Sequence, residues 1–309
     1  MGYFIEDVLS IKDATQKQAT HYVICNGGKI RYLIAVNNRC AKKRLAANIS
    51  AYSGKLNILM KLLCILPYGV LSAMKLGKYV EVTLADQVKS VFEKLECDSW
   101  NAIIGSYVEK QKIVLQCFET DNGKEAIYIK IGGETSENEM MVETAYLKEP
   151  IKSSIFYSPK VLFAQNRKDG HPFNIQVTDE FSGEKVPPIM TEEIYQIFKE
   201  ISKSKPEIQE DGVTKVFSHG DFTPWNMKKN GNKYVVFDWE YAGYRFYGFD
   251  LIHYLWQVEN KLNKKEKDIA MRDALLQAKA IDKKLSLIQD STLYDYYFHE
   301  LHKQFGSTL

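Results

Sequence analysis

Apolar residues follow two rhythms along this chain, and the pattern changes near Ser99. Before that point Arg31–Val36 reads as a strand closed by an Asn37-Asn38 turn, and Tyr79–Leu84 reads as another. Leu84–Leu95 has helical spacing. The most apolar stretch of the chain, Leu56–Met74, is interrupted by Lys61 and Pro67 and carries Asn57 near its start. A spanning helix needs roughly 20 mostly apolar residues, so a buried helix broken or kinked at Pro67 is predicted instead. A helix lying in a membrane interface, giving peripheral membrane contact, is the lesser reading.

From Ser99 the spacing turns to short strands. Ala102-Ile103-Ile104 is apolar, Gly105-Ser106 is a turn, and Lys112–Phe118 is rich in β-formers. Asp121-Asn122-Gly123 is a hairpin signal, because Asn-Gly suits positive φ. Ala126–Ile131 is the next strand, ended by Gly132-Gly133, and Glu137–Lys148 is helical with Glu139 and Glu143 one turn apart on one face. Ile155–Phe163 and Phe173–Asp179 supply two more strand candidates. Beyond the break at Pro187-Pro188, a helix is predicted over Thr191–Lys203, capped by Thr191 with acids in its first turn. Asp250–Asn260, Glu266–Ile288 and Tyr294–His302 also read as helices, so the second half is mainly helical apart from one hairpin. The fold class is therefore α+β. Its expected parts are an N-terminal α/β extension of unknown role over residues 1–96, a small antiparallel-sheet lobe over 97–180 and a mainly helical lobe over 181–309.

Composition narrows the function classes. The 309 residues are 45% hydrophobic and 26% charged, which permits a sizeable core and excludes wholesale disorder. A formal net charge of +2 argues against a dedicated nucleic-acid binder. Arg39, Lys42, Lys43 and Arg44 form a local basic cluster, read first as a solvated face and second as a contact for phosphate or anionic lipid. Cys25, Cys40, Cys64, Cys97 and Cys117 show neither CxxC nor zinc spacing, so free buried thiols in a reducing compartment are expected. Met1–Asp7 lacks the features of a signal peptide, and a cytoplasmic location is expected.

The chemistry concentrates in one segment. Phe217-Ser218-His219-Gly220-Asp221-Phe222-Thr223-Pro224-Trp225-Asn226 runs on to an Asn230-Gly231 turn and returns along Lys233–Phe237 to Asp238-Trp239-Glu240. The turn folds the two arms together, which puts Asn226 and Asp238 at the same end of the hairpin. That end offers two carboxylates and one amide carbonyl, hard donors of the kind that hold Mg2+ together with substrate phosphates.

His219-Gly220-Asp221, with Asn226 five residues on and then Asp238-Trp239-Glu240, resembles the aminoglycoside phosphotransferase and choline-kinase-like family. These are small-molecule relatives of the protein kinases, whose catalytic-loop Asp, Asn and second metal-binding Asp come in the same order. The resemblance covers about residues 99–300 and implies a two-lobed protein-kinase-like fold, ATP as donor, Mg2+ and an alcohol as acceptor. It implies that Asp221 is the catalytic base, that Asn226 and Asp238 ligate Mg2+, that Asp250 braces the catalytic loop, and that His219 orders it. In Ile129-Lys130-Ile131 it makes Lys130 the holder of the α- and β-phosphates, oriented by Glu143, with Glu139 as the alternative. Gly105 and Ser106 fall in the nucleotide-covering loop, although no GxGxxG is present, and Ile175–Glu180 becomes the lobe connector.

The expected function is ATP- and Mg2+-dependent phosphoryl transfer to a hydroxyl of a small molecule. A sugar or surface-polysaccharide precursor is the first acceptor class, because the extra N-terminal region resembles those on phosphotransferase-like proteins of bacterial surface-polysaccharide gene sets. An aminoglycoside or choline-like alcohol is the alternative. A catalytically silent nucleotide-binding scaffold is the reading from another class, and the intact Asp221, Asn226 and Asp238 set argues against it. Trp225 and Trp239 are expected to pack, and the Tyr241, Tyr244, Phe246 and Tyr247 cluster serves either an acceptor pocket or the core.

Overall fold

In a computed structural model, which describes residues 4–49, 54–105, 110–118, 127–210 and 212–305, every strand of the first half joins one sheet. The chain divides into two units, residues 1–144 with 160–182 and residues 145–159 with 183–309. The α+β class expected from the sequence is what the structure shows, with an antiparallel-sheet unit and a mainly helical unit.

The sheet of the first unit has nine strands. In spatial order they are Leu9–Asp13, Lys78–Leu84, His21–Asn26, Lys29–Ala35, Ser99–Ile104, Lys112–Phe118, Ile127–Gly132, Asn174–Thr178 and Val161–Gln165. All neighbours are antiparallel. Residues 1–96 thus contribute four strands to the same sheet, joined where Tyr32 and Leu33 lie opposite Ile103 and Ala102. The physical reason is the edge: a strand has hydrogen-bonding groups on both sides, and Ser99–Ile104 meets its second side with Lys29–Ala35.

Period-two alternation then sorts the side chains. Val23, Leu33, Val80, Ile129 and Ile131 share one core with Val88, Val91 and Phe92 of the helix Asp86–Lys94. Tyr22, Ile24 and Ile34 face the other way, packed with Leu45, Met60, Leu63 and Leu71 from the helices over Ala41–Asn48, Gly54–Ile65 and Tyr68–Ala73. The last of these helices is N-capped by Pro67, so the apolar stretch breaks where the sequence places the break. Among the described residues no helix is long and apolar enough to cross a membrane. The Asp121-Asn122-Gly123 turn lies outside the described residues.

In the second unit a four-stranded sheet is built around the hairpin of Met227–Asn230 and Lys233–Val236, with Gly231 at φ +59° in the turn. A three-stranded sheet joins Ile208–Glu210, Val213–Ser218 and Gly243–Phe246. The aromatic run read as a pocket or packing cluster thus contains a strand, and the second half holds more β-structure than one hairpin. Its helices are Glu192–Lys203, Phe249–Gln257, Lys267–Ile281, Lys283–Ser286 and Asp290–Phe305. Thr191 accepts from the Ile194 amide and caps the first of them. The helix Phe249–Gln257 is buried on all sides from Phe249 to Trp256. All five cysteines are free, but only Cys117 is fully buried; Cys25 and Cys40 are exposed, which corrects the expectation of buried thiols throughout.

Candidate active site

The segment singled out by sequence leaves the strand Val213–Ser218 through a sharp turn at Gly220, φ +87°. A Cβ there would stand 2.2 Å from the Tyr241 carbonyl oxygen, so glycine is required by conformation and by contact. The turn is tied to one buried carboxylate. Asp250, in the first turn of the helix Phe249–Gln257, accepts from Ser218 Oγ at 2.7 Å, the His219 amide at 2.7 Å and the Gly220 amide at 3.0 Å. Two backbone donors and a hydroxyl satisfying one buried acid define the loop's path.

His219 carries that order onward. The Asp221 amide donates to its Nδ1 at 3.2 Å, and its Nε2 lies 3.0 Å from the Phe237 carbonyl, next to Asp238. Nδ1 is therefore the acceptor and Nε2–H the donor of a neutral ring. Burial pushes the His219 imidazole below its ordinary value, against the pull of Asp250 and Asp221. The ring also packs 4.3 Å from Trp239, which is fully buried and stacks on Tyr146 at 3.8 Å.

Asp221 keeps its side chain 23% exposed, the accessibility a reacting group needs, while its two oxygens are both held. Asn226 Nδ2 donates to Oδ2 at 2.9 Å and to the Asp221 carbonyl at 2.9 Å. With its nitrogen so committed, Asn226 has its amide oxygen to offer. The Phe237 amide donates to the Asn226 carbonyl at 3.1 Å, which extends the hairpin ladder by one pair and brings Asp238 beside Asn226 along the chain. Asp238 itself sits at φ +67°, the left-handed region that Asp tolerates better than most residues. An amide oxygen and a carboxylate at one hairpin end are hard donors that fit a divalent cation such as Mg2+.

The other predicted residues lie in the first unit. On the strand Ile127–Gly132, Ile129 and Ile131 enter the core while Lys130 points to the opposite face. There Lys130 Nζ meets Glu143 Oε2 at 2.6 Å, from the helix Glu137–Lys148. Glu139 pairs instead with Lys110. Gly132 lies close under this helix, where a Cβ would stand 2.4 Å from Met140 Sδ. The amide of Gly105 donates to the Lys112 carbonyl at 2.9 Å, and a Cβ there would come within 2.8 Å of the same oxygen. Ser106 lies outside the described residues. The proposed connector is mostly strand: Asn174–Thr178 is paired on both sides, and Asp179 accepts from the Lys160 amide at 2.6 Å.

Sequence reading missed the partners that the Gly220–Asp221 turn finds on the C-terminal helices. His253 Nε2 lies 2.9 Å from Asp221 Oδ1, and Gln304 donates to the Gly220 carbonyl at 3.0 Å. A signal for His253 existed: it stands three residues after Asp250, one helical turn away, and, Tyr254 and Trp256 aside, the two are the only polar residues in Phe249-Asp250-Leu251-Ile252-His253-Tyr254-Leu255-Trp256.

Residues 167–285 match the phosphotransferase enzyme family, APH. The resemblance to aminoglycoside phosphotransferase-like small-molecule kinases is thus a shared pattern over the segment that holds His219, Asp221, Asn226, Asp238 and Asp250. The solved structure of the amicoumacin kinase hAmiN in complex with AMP-PNP, Ca2+ and Ami is similar over 63% of this chain and 77% of its own, at 12% identity and a TM-score of 0.40. A likeness that loose transfers no function. No curated protein sequence matches the chain.

Proposed function

We propose that the protein is an ATP- and Mg2+-dependent phosphotransferase acting on a hydroxyl of a small molecule, with a sugar or surface-polysaccharide precursor as the acceptor class. The observation that carries this reading is the Gly220–Asp221 turn: an accessible aspartate whose carboxylate is held on both oxygens and whose neighbour Asn226 keeps its amide oxygen for a cation. The match of residues 167–285 to phosphotransferases supports it.

Asp221 acts as the base. It accepts the proton of the acceptor hydroxyl while that oxygen bonds to the γ-phosphorus, and the bond to the leaving ADP oxygen breaks. Asn226 and Asp238 would hold the metal, which would supply neutralisation of phosphate charge. Lys130, kept in place by Glu143, binds the α- and β-phosphates. Asp250 and His219, both buried, fix the loop. Gly105 and Ser106 are the nucleotide-covering residues of this reading. In this reading residues 97–180 serve nucleotide binding and residues 181–309 serve catalysis.

ATP consumption over a panel of sugars, aminoglycosides and simple alcohols tests the activity, with calorimetry of ATP binding with and without Mg2+. Asp221→Asn is expected to keep nucleotide binding and lose about 10²–10⁴-fold in turnover, the usual contribution of a general base. Undiminished turnover in that variant removes Asp221 from the mechanism.

A further inference from the structure

His253 is fully buried on the helix Phe249–Gln257, and its ring stacks on Phe249 at 5.7 Å with 13° between planes. Each ring nitrogen has one close partner. Nε2 lies 2.9 Å from Asp221 Oδ1, and Nδ1 lies 2.8 Å from the Tyr297 hydroxyl. A carboxylate oxygen only accepts, so the hydrogen sits on Nε2. The lone pair on Nδ1 then takes the Tyr297 hydroxyl hydrogen. A doubly protonated ring would turn Nδ1 into a second donor and leave that buried hydroxyl hydrogen with no acceptor among the described residues, a costly arrangement. Burial, with the charges of Asp221 and Asp250, pushes the Tyr297 phenol well above its ordinary value and keeps it a donor. The Gln257 amide, 3.4 Å from Nε2, is a longer contact that does not displace a carboxylate at 2.9 Å.

We propose that His253, held in its Nε2–H tautomer by Asp221 and Tyr297 together, is a positioning residue for Asp221. The relay runs from the Tyr297 hydroxyl to His253 Nδ1, and from His253 Nε2–H to Asp221 Oδ1. It complements the Asn226 amide on Oδ2, so that donors on both sides lock the rotation of one carboxylate. A carboxylate free to rotate spends part of its time aimed away from the acceptor hydroxyl, and a small misplacement of a base is costly in rate. A catalytic role for this relay rests on the phosphotransferase reading; its hydrogen-bond geometry does not.

Two experiments separate these. Long-range 15N–1H spectra of the full chain with labelled histidine, with His253 assigned from its loss in His253→Gln, report the ring tautomer without any reaction. The expected result is a protonated Nε2 and a bare Nδ1, with the Nδ1 resonance shifting in Tyr297→Phe as it loses its hydrogen bond. An Nδ1–H ring, a doubly protonated ring, or a spectrum unmoved by Tyr297→Phe overturns the proposal. In turnover assays His253→Leu is expected to lose about 10–100-fold in kcat, the usual range for a residue that orients a functional group. KM for ATP stays unchanged, and His253→Gln, which restores an N–H donor, recovers most of the loss. Full activity of His253→Leu beside an inactive Asp221→Asn overturns the positioning role alone. Full activity of Asp221→Asn overturns the phosphotransferase reading and leaves the tautomer result standing.

Discussion

The two units hold charged side chains in opposite ways. In the first, Lys130 and Glu143 face each other from a regular strand and a regular helix, and the pair is one contact between two elements that exist without it. In the second, Asp250 gathers a hydroxyl and two backbone amides, and the turn that leads to Asp221 is built around that carboxylate. The difference separates two kinds of site residue. One kind is placed by a scaffold and is expendable to it; the other is scaffold and site support at once.

Removing Asp250 puts the greatest strain on this contrast. Asp250→Ala leaves three buried donors without their acceptor, and a loss on the order of 4 kcal/mol is expected in denaturant unfolding, together with loss of activity. A small stability change there would mean that water or a relaxed loop replaces the carboxylate, and the contrast between units would fail.

Acid comes next, and it strikes the first unit. His21 is buried between the Thr20 hydroxyl and the Trp100 carbonyl, and burial lowers its pKa to about 4 from the ordinary 6.5. The unfolded chain therefore binds the proton more readily than the folded one between those values. Stability from the neutral ring is complete above pH 6.5 and is lost as pH falls through the window toward 4, on the order of 3 kcal/mol in all. Unfolding followed against pH should show this slope, and His21→Gln should flatten it.

Lys130→Met is expected to cost less, about 2 kcal/mol, because it takes this partner from the buried Glu143 and removes no backbone hydrogen bond. The nucleotide affinity measured by calorimetry should nevertheless fall tenfold or more. Unfolding of the whole protein by that variant would make Lys130 as structural as Asp250. The smallest effect belongs to the hairpin turn. Gly231 has φ +59° with open space around it, so Gly231→Ala meets only backbone strain of about 1 kcal/mol in thermal unfolding.

Much of the candidate site is legible in the sequence because its spacing is local. Asn226 and Asp238 come together through a four-residue register around Asn230-Gly231, and Lys130 is turned away from Ile129 and Ile131 by strand alternation. The choice between Glu139 and Glu143 is not local: both lie on one helix face, and the packing of that face over Gly132 gives Lys130 to Glu143 and Lys110 to Glu139. The strand Gly243–Phe246 escaped notice because its aromatics suit core, pocket and strand alike, and its partner Val213–Ser218 lies some way back along the chain.

The sequence by itself determined the α+β class, the break at Pro67, the capped helix after Thr191 and the order of Asp221, Asn226, Asp238 and Asp250. Each of these depends on periodicities, turn chemistry and spacings that act over a few residues. Only the tertiary structure decided that residues 1–96 extend the sheet of the strands that follow, and that His253 and Tyr297 stand behind Asp221. Those partnerships join positions far apart in the chain. Side chains of one type are equivalent in local pattern, and only the packing of whole elements brings one of them within hydrogen-bonding reach.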